Sequence, residues 1–324
     1  MSGQARRATA TSAHRQGRLL EGASHGRLSG ELMLVVTVLL WSFGYTASRY
    51  GLTHGFEPLS FAAPRWAIGA VVFIGVVLWR ERSLRVERRD LPRFAVAILA
   101  GVLINQAAYN YATSFATAAL VALVFGTLPV FASIIAQATG HATLSRKHWL
   151  ATCISFGGVG LVAVGSGGEI KGDLGGILLA LGAVASFAAY SVTVAPLMQR
   201  YSPLRVSAVV CGGGAPLLAL VALPNLIATD WGSITGLAWA SWAYIVSMFV
   251  VTTILWFTAI SRVGAPHATL WANMQPFLGA VFAVLVLDDH LGPIQIAGAA
   301  VIGVSIVVAS LRRSSPGEIA ARPD

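Results

Sequence analysis

Residues 106–135 read QAAYNYATSFATAALVALVFGTLPVFASII and carry no charged side chain. A helix needs about 20 consecutive apolar residues to cross the roughly 30 Å hydrocarbon core of a bilayer. The stretch is long enough to complete one such helix and to form most of a second. The join between the two, near Ala116, is so short that the helices must run antiparallel. The stretch therefore predicts helices that cross a membrane.

The composition of the whole chain agrees with this prediction. Of the 324 residues, 56% are hydrophobic and 11% are charged, whereas soluble globular proteins carry about 25% charged residues. So little charge excludes a soluble enzyme, a nucleic-acid-binding domain and a disordered protein. The net charge of +9 does not indicate a nucleic-acid partner, because almost all Lys and Arg residues lie between apolar runs or in the tails.

Apolar runs of about this length recur from Glu31 onward, and they predict ten transmembrane helices. The predicted limits are Leu32–Tyr50, Pro58–Trp79, Phe94–Ser114, Ala116–Ala138, Trp149–Val164, Gly175–Leu197, Leu204–Leu223, Trp239–Ile260, Ala265–Leu287 and Pro293–Leu311. Membrane β-barrel strands are excluded, because the runs do not alternate between apolar and polar residues. The predicted fold class is therefore an all-α integral membrane protein with ten transmembrane helices.

The Lys and Arg residues between the runs set the predicted orientation. With the N-terminus inside, 19 of the 22 fall on the inner side, Lys171 alone falls in an outer loop, and Arg49 and Arg65 lie within spans. Positive residues hold loops on the cytoplasmic side. We therefore predict a multi-pass protein of the inner (plasma) membrane with cytoplasmic termini, residues 1–30 forming a disordered tail and residues 313–324 a second tail. The Arg-rich, acid-poor start of the chain leaves an organelle transit peptide open.

The second half of the chain repeats the first. The sequence YNYATSFATAA begins at Tyr109, and WFTAISRVGAP begins at Trp256, 147 positions later. At the same offset Pro129 matches Pro276. Each repeat holds five predicted helices, an odd number, so one repeat must be inverted relative to the other. We predict inverted five-helix repeats over residues 31–165 and 174–312, an architecture in which transporters place a binding site near the membrane midplane.

In these features the chain resembles the EamA-like family of the drug/metabolite transporter superfamily. The resemblance is carried by WSFGYTASRYGL from Trp41, by Pro58–Arg65, by residues 106–135, and by MQPFLGAVFAVLVLDDHLGPIQIAGAAVIGVSIV from Met274. The family often has a Glu just before the last helix of each repeat. This chain has Ala142 and Asp289 there, so no role is assigned to an acid at this place. The resemblance implies a secondary transporter that exports small organic metabolites, such as amino acids, by alternating access.

Polar and aromatic side chains at mid-depth of the predicted spans form a candidate substrate site. They come from the first, third, sixth, eighth and ninth spans. The candidate substrate-binding residues are Trp41, Tyr45, Asn105, Gln106, Tyr109, Ser186, Tyr190, Trp256, Trp271, Asn273 and Gln275. Polar groups are costly in hydrocarbon and should face a bundle interior or a wet cavity, and aromatic and amide walls suit a small, partly apolar metabolite. The alternative is that each polar side chain only bonds to a neighbouring helix.

Two ionisable residues lie beside this set. Arg65, seven residues into the second span, either attracts a substrate carboxylate or has a structural role. His267, near the inner end of the ninth span, either couples transport to protons or is structural. No Asp or Glu lies in the central part of a predicted span. Because a cation in a low-dielectric cavity needs a counter-charge, we predict neutral, zwitterionic or anionic substrates rather than organic cations.

Other classes of function find less support in the sequence. No catalytic pair is evident, and the His residues are too scattered for a metal site, so we expect no enzyme activity, cofactor or metal. The expected partners are a small-molecule substrate and the lipid bilayer, without nucleic acid; a monomer fits the pattern, and the oligomeric state stays open. The alternatives are a carrier of phosphorylated or nucleotide-linked sugars, a membrane-embedded lipid-modifying enzyme, and a non-catalytic scaffold.

Overall fold

The computed structural model describes residues 2–140, 146–165, 170–264, 268 and 271–310, and all regular structure in these ranges is helical. The α-helices are α1 (Ser2–Thr53), α2 (Pro58–Arg80), α3 (Leu91–Ile98), α4 (Asn105–Phe115), α5 (Ala118–Phe125), α6 (Leu128–Ala138), α7 (Arg146–Gly165), α8 (Ile170–Met198), α9 (Pro203–Ala228), α10 (Gly236–Val263), α11 (Gln275–Leu287) and α12 (Pro293–Ser310). A 3₁₀ turn, Arg88–Asp90, precedes α3, and a π-helical segment, Leu99–Ile104, joins α3 to α4.

Seven segments within the described residues are long and apolar enough to cross a membrane. They are Leu28–Thr53, Pro58–Arg80, Arg88–Phe115, Ala118–Ala138, Leu174–Met198, Pro203–Ala228 and Gly236–Ile260. Three shorter apolar segments, Thr152–Val162, Gln275–Leu287 and Pro293–Ser305, lie where the fifth, ninth and tenth spans are predicted. The described part of the chain is therefore an all-helical, multi-pass membrane fold.

The first helix is longer than predicted. It runs without interruption from Ser2 to Thr53, so residues 2–27 extend the predicted span Leu32–Tyr50 towards the N-terminus, and the disordered tail stays a prediction. The chain holds no proline before Pro58, and the Ala, Arg, Gln and Leu of this segment are good helix formers. The part of α1 that is apolar enough to enter a membrane begins at Leu28.

Several helix starts are specified by the residue that precedes them. Thr117, Ser202 and Thr235 each accept a hydrogen bond from the backbone N–H three residues later, and so cap α5, α9 and α10. Pro58 and Pro203 occupy the first positions of α2 and α9, where the missing N–H would have no partner within the helix. These local signals keep the connecting loops short, so successive helices fold back on each other.

The helices pack in a pattern that relates the two halves of the chain. Helix α1 packs against α10 and α11, and α8 packs against α4 and α6. Two further pairs join helices in equivalent places of the two halves, α2 with α9 and α7 with α12, and α11 also packs against α5. When the halves are exchanged, with α1 equivalent to α8, α4 to α10 and α6 to α11, all of these contacts except that of α5 with α11 map onto one another.

Charged side chains link the segment after α2 to the turn between α8 and α9. Asp90 is 1% exposed and accepts hydrogen bonds from Arg200 Nη1 at 2.6 Å and from the Tyr201 hydroxyl at 2.7 Å. Arg200 Nη2 also lies 2.5 Å from Glu87 Oε1. Their hydrogen bond lowers the pKa of the Glu87 carboxyl and raises the pKa of the Arg200 guanidinium. The hydrogen bond between Arg200 and Asp90 thus joins two loops whose residues are 110 positions apart in the chain.

Candidate functional site

Two membrane helices are interrupted, and the interruptions lie beside the predicted site. Residues 126–127 separate α5 from α6, and residues 273–274 directly precede α11. Each interruption is followed by a proline, Pro129 or Pro276, which cannot donate the N–H that a continuous helix needs. The two interruptions are 147 positions apart, the offset of the sequence repeat.

Gln275 opens α11, and its side chain reaches α1. Its Nε2 donates to the Tyr45 hydroxyl at 3.2 Å. Tyr45 is 4% exposed, and its ring centroid lies 6.3 Å from that of Tyr109 and 5.8 Å from that of Phe125. Helices α1, α4, α5 and α11 therefore meet in one aromatic cluster, which brings together three of the residues predicted from the sequence.

A second, polar group surrounds Arg65 in α2. Arg65 Nη2 donates to Gln106 Oε1, and Gln106 Nε2 donates to Asn105 Oδ1 at 3.0 Å. The backbone carbonyl of Ala183 in α8 accepts from Asn105 Nδ2 at 2.8 Å and from the Ser186 hydroxyl at 2.9 Å. All four side chains belong to residues that are more than nine-tenths buried. The hydrogen bonds link α2, α4 and α8.

The local backbone helps to position this polar group. Asn105 and Gln106 follow directly on the π-helical segment Leu99–Ile104, and such segments within α-helices frequently occur at functional sites. Gly101 in this segment lies against the ring of Tyr190, which a Cβ on Gly101 would overlap. Tyr190 accordingly packs with the apolar cluster of α2 and α9, apart from Tyr45 and its cluster.

Trp41 and Trp256 form a third contact next to the aromatic cluster. Their ring centroids are 5.0 Å apart, with the planes tilted by 50°. Trp41 Nε1 donates to the Thr252 hydroxyl at 2.9 Å, one turn earlier on α10. Because Trp41 and Tyr45 are one turn apart on α1, their side chains share a helix face. The indole pair therefore borders the Tyr45 cluster.

Trp271 departs from its predicted position. The sequence places it four residues before Gln275 on one helix face, but the interruption at residues 273–274 ends that regular spacing. Trp271 Nε1 instead donates to Glu31 Oε2 at 2.8 Å, near the start of the apolar part of α1. Asn273 lies in the interruption itself and is partly buried. His267 lies outside the described residues.

Arg49, the other arginine within a predicted span, supports the end of a helix. Its Nη1 donates to the backbone carbonyls of Thr113 and Ser114, each at 2.7 Å. Both carbonyls belong to the last turn of α4, which ends at Phe115. The last carbonyls of a helix lack partners within the helix, and a cation there is stabilising. Arg65 is thus the arginine that lies within the candidate site.

Sequence reasoning missed two contributors to this region. Asn110 is fully buried, and its Nδ2 donates to the Gln106 carbonyl at 2.7 Å. It stands four residues after Gln106, the same spacing that relates Tyr109 to Asn105, so the helical period was a usable signal. Phe125 gives no such signal, because its contact with Tyr45 arises between helices that are distant in the sequence.

Together these groups supply side chains of two chemical kinds. Aromatic rings from α1, α4, α5 and α10 can cover apolar surface, and the amides of α4 and α11 can hold polar groups. The guanidinium of Arg65 adds one positive charge on the side of α2. Side chains of these two kinds suit contact with a small solute that has both apolar and polar parts.

Comparison with known proteins agrees with this architecture. The profile of the EamA-like transporter family matches residues 28–164 and matches again over residues 174–311. The chain belongs to the EamA-like transporter family. Membership makes this protein a membrane transporter, as its apolar helices and buried polar groups indicate, and argues against the enzyme alternative.

Individual EamA-like relatives cover nearly the whole chain. The uncharacterized transporter YwfM of Bacillus subtilis (strain 168) is 24% identical over 295 residues, which span 89% of this chain and 97% of the relative. The uncharacterized transporter YdfC of the same organism is 25% identical over 255 residues, 77% of this chain and 80% of the relative. One crystal structure matches with a TM-score of 0.59 and 22% identity over 90% of this chain and 100% of the other, which supports the fold.

We expect Gln275→Ala to slow transport about tenfold, since the loss of one hydrogen bond is worth about 1 kcal/mol or somewhat more. Trp256→Ala should slow it at least as much, because it removes the ring that packs on Trp41. The matched control is Trp239→Ala on the same helix, at a residue that is 38% exposed. Initial rates of uptake into liposomes with equal protein content measure the effect. Equal losses from Trp256→Ala and Trp239→Ala would remove the case for a central site.

Proposed function

We propose that this membrane transporter is a secondary carrier that exports small organic metabolites, such as amino acids, by alternating access. In this proposal ten helices form two inverted five-helix repeats, residues 31–165 and 174–312, in the inner membrane with both termini in the cytoplasm. The observation that carries the proposal is the pair of helix interruptions at residues 126–127 and 273–274. Discontinuous helices at corresponding places of two repeats are typical of the midplane binding sites of transporters.

Three further observations support the two repeats. The contacts of α1 with α10 and α11 correspond to those of α8 with α4 and α6 when the halves are exchanged, and α2–α9 and α7–α12 correspond to themselves. The family profile matches once in each half. The three shorter apolar segments coincide with the predicted fifth, ninth and tenth spans, which would complete five helices in each repeat.

Contacts near the ends of the helices support the proposed order of ten crossings. On the proposed outer side, the backbone N–H of Ala119 donates to Asp289 Oδ2 at 3.1 Å. On the proposed inner side, Arg200 bonds to Asp90. Each contact joins two segments, distant in the sequence, that the ten-helix arrangement puts on the same side of the membrane.

The side chains of the candidate site support a small, partly apolar solute. The rings around Tyr45 and Trp41 can take its apolar part, and the Asn105 and Gln106 amides can orient its polar part. A nucleotide-linked sugar would need several basic residues in the cavity, whereas Arg49 binds the end of α4. The export direction rests on the family resemblance.

The experiment that tests this function is a screen in liposomes that contain the purified protein. Uptake of labelled amino acids and organic acids is measured with and without a proton gradient. We expect saturable uptake of at least one of these solutes above protein-free liposomes. Failure of folded, reconstituted protein to move any of them would contradict the proposal. Strong movement of quaternary-ammonium dyes without movement of acids would contradict the predicted substrate charge.

The proposed topology makes a separate prediction. A reporter that is active only in the cytoplasm should be active when fused after Asp324 and inactive when inserted at Gly168, because ten crossings put the terminus inside and the connection between repeats outside. Insertion at Gly140, in the loop after α6, is the matched internal control and should be active. Activity at Gly168 would show that the ten-helix arrangement is wrong by at least one span.

A further inference from the structure

The guanidinium of Arg65 is a buried charge, and among the described residues no carboxylate forms an ion pair with it. Arg65 is 8% exposed, and the ion pairs found among the described residues involve other arginines, in the segment after α2 and around the start of α9. Burying a cation is costly unless a counter-charge and hydrogen bonds compensate it. The described part of the chain thus supplies no negatively charged partner here.

Neutral groups hold this guanidinium in place. Gln106 Oε1 accepts from Arg65 Nη2, and Asn105 in turn fixes the Gln106 amide. One hydrogen bond from Arg65 to the described residues is formed, whereas a guanidinium has five N–H donors. Those donors form a planar fork that matches the two oxygens of a carboxylate.

Asn110 supplies a second feature of the same polar group. Its Nδ2 lies 3.5 Å from Gln106 Oε1, the same oxygen that Arg65 binds. Its Oδ1 is buried and has no hydrogen-bond donor among the described residues. Buried acceptors in proteins normally have a donor. A solute with an N–H or O–H group near its carboxylate would provide one.

We propose that Arg65 binds the carboxylate of the transported solute and that Asn110 Oδ1 accepts a hydrogen bond from an amino or hydroxyl group of the same solute. This inference rests on the proposed transport function and names its substrate class: small carboxylic acids with a neighbouring hydrogen-bond donor. Tyr109, which is within electrostatic range of Arg65, and Tyr45 would contact the apolar part. A phosphate monoester, with a charge of about −1.5 to −2, fits less well, because one guanidinium supplies one positive charge.

Ligand-induced thermal stabilisation of the purified full-length protein tests this site without requiring transport. Four probes share a phenyl ring. Phenylalanine has both the carboxylate and the hydrogen-bond donor, and 3-phenylpropionate has the carboxylate without the donor. Phenylalaninamide lacks the carboxylate, and phenyl phosphate has a phosphate group in its place. We expect phenylalanine to raise the Tm by about 2–4 °C at saturation, 3-phenylpropionate to raise it less, and the other two probes to have no effect. Equal shifts with phenylalanine and phenylalaninamide, or no shift with either acid, would overturn the assignment of Arg65. Equal shifts with phenylalanine and 3-phenylpropionate would overturn the assignment of Asn110 as the acceptor. A larger shift with phenyl phosphate than with phenylalanine would overturn the choice of a carboxylate as the ligand.

Variants of the arginine make the test specific. Arg65→Gln should abolish the shift with phenylalanine, whereas Arg85→Gln, the same exchange at an exposed position, should leave it unchanged. An unchanged shift in Arg65→Gln would overturn the proposal. If Arg65→Gln does not fold, Arg65→Lys decides: a weaker preference for the acid over the amide supports the site, and an unchanged preference overturns it. Wild-type protein that binds acids but moves no solute contradicts only the transport function, and protein that moves other solutes but ignores acids contradicts only this inference.

Discussion

Replacing Arg200 with glutamine is expected to lower the free energy of unfolding more than the same replacement of an exposed arginine nearby, because it removes the main partner of a buried carboxylate. The reason is that the carboxylate of Asp90, 1% exposed, would lose its hydrogen bond from Arg200 Nη1 at 2.6 Å. Arg93 Nη1, at 3.9 Å from Asp90 Oδ1, is too distant to take its place. Unfolding of the detergent-purified protein, followed by tryptophan fluorescence, measures the change.

Two further variants make this result specific. Arg89→Gln removes a charge from the same segment, but the Arg89 and Glu87 side chains, 2.7 Å apart, are 71% and 57% exposed, so a loss below about 1 kcal/mol is expected. Adding Asp90→Asn to Arg200→Gln removes the unpaired buried charge and should recover part of the lost stability. If Arg200→Gln were as mild as Arg89→Gln, the buried pair would not stabilise the fold.

Gly158→Val is expected to force α7 away from α12. A Cβ at Gly158 would lie 2.9 Å from the Gly298 carbonyl oxygen and 3.0 Å from the Ile302 backbone nitrogen. Both atoms belong to the backbone of α12, so the strain can be relieved only by separating the helices. Such overpacking costs about 1–3 kcal/mol and sometimes more, and small residues are what allow membrane helices to approach this closely. We expect a lower Tm and less monodisperse protein after extraction in detergent.

The neighbouring glycine supplies a matched control for this prediction. A Cβ at Gly157 would meet nothing within 4 Å, and valine is a better helix former than glycine, so Gly157→Val should be neutral or slightly stabilising. Gly298→Ala tests the contact from the other side, because its Cβ would lie 2.6 Å from the Gly158 carbonyl oxygen. Equal Tm values for Gly157→Val and Gly158→Val would contradict a close crossing of α7 and α12.

Features that depend on local sequence could be predicted. Pro58 begins α2 where the second span is predicted to start, and Pro203 begins α9 one residue before the predicted limit. Both follow from the fixed backbone angle and missing N–H of proline. The match of Pro129 with Pro276 indicates duplication, but the helix interruptions beside them were not predicted, because proline is also tolerated within continuous helices, as at Pro216 in α9.

Contacts between distant segments could not be predicted in the same way. A helical period shows that Tyr45 shares a face with Trp41, but packing alone brings the Gln275 amide, 230 positions away, to the Tyr45 hydroxyl. The same applies to Trp271 and Glu31, which are 240 positions apart. Mid-span depth selects residues that are costly to expose to lipid, but it does not say which of them share a cavity.

Alternating access is tested most directly by counterflow of the solute that the uptake screen identifies. Liposomes that contain the protein are loaded with unlabelled solute and diluted into a trace of the labelled form. A carrier that opens its site to one side at a time returns with label as it carries unlabelled solute out. We therefore predict a transient accumulation of label above its equilibrium level. Label that only equilibrates, at the same rate with and without internal solute, would indicate a channel or a leak and would contradict alternating access.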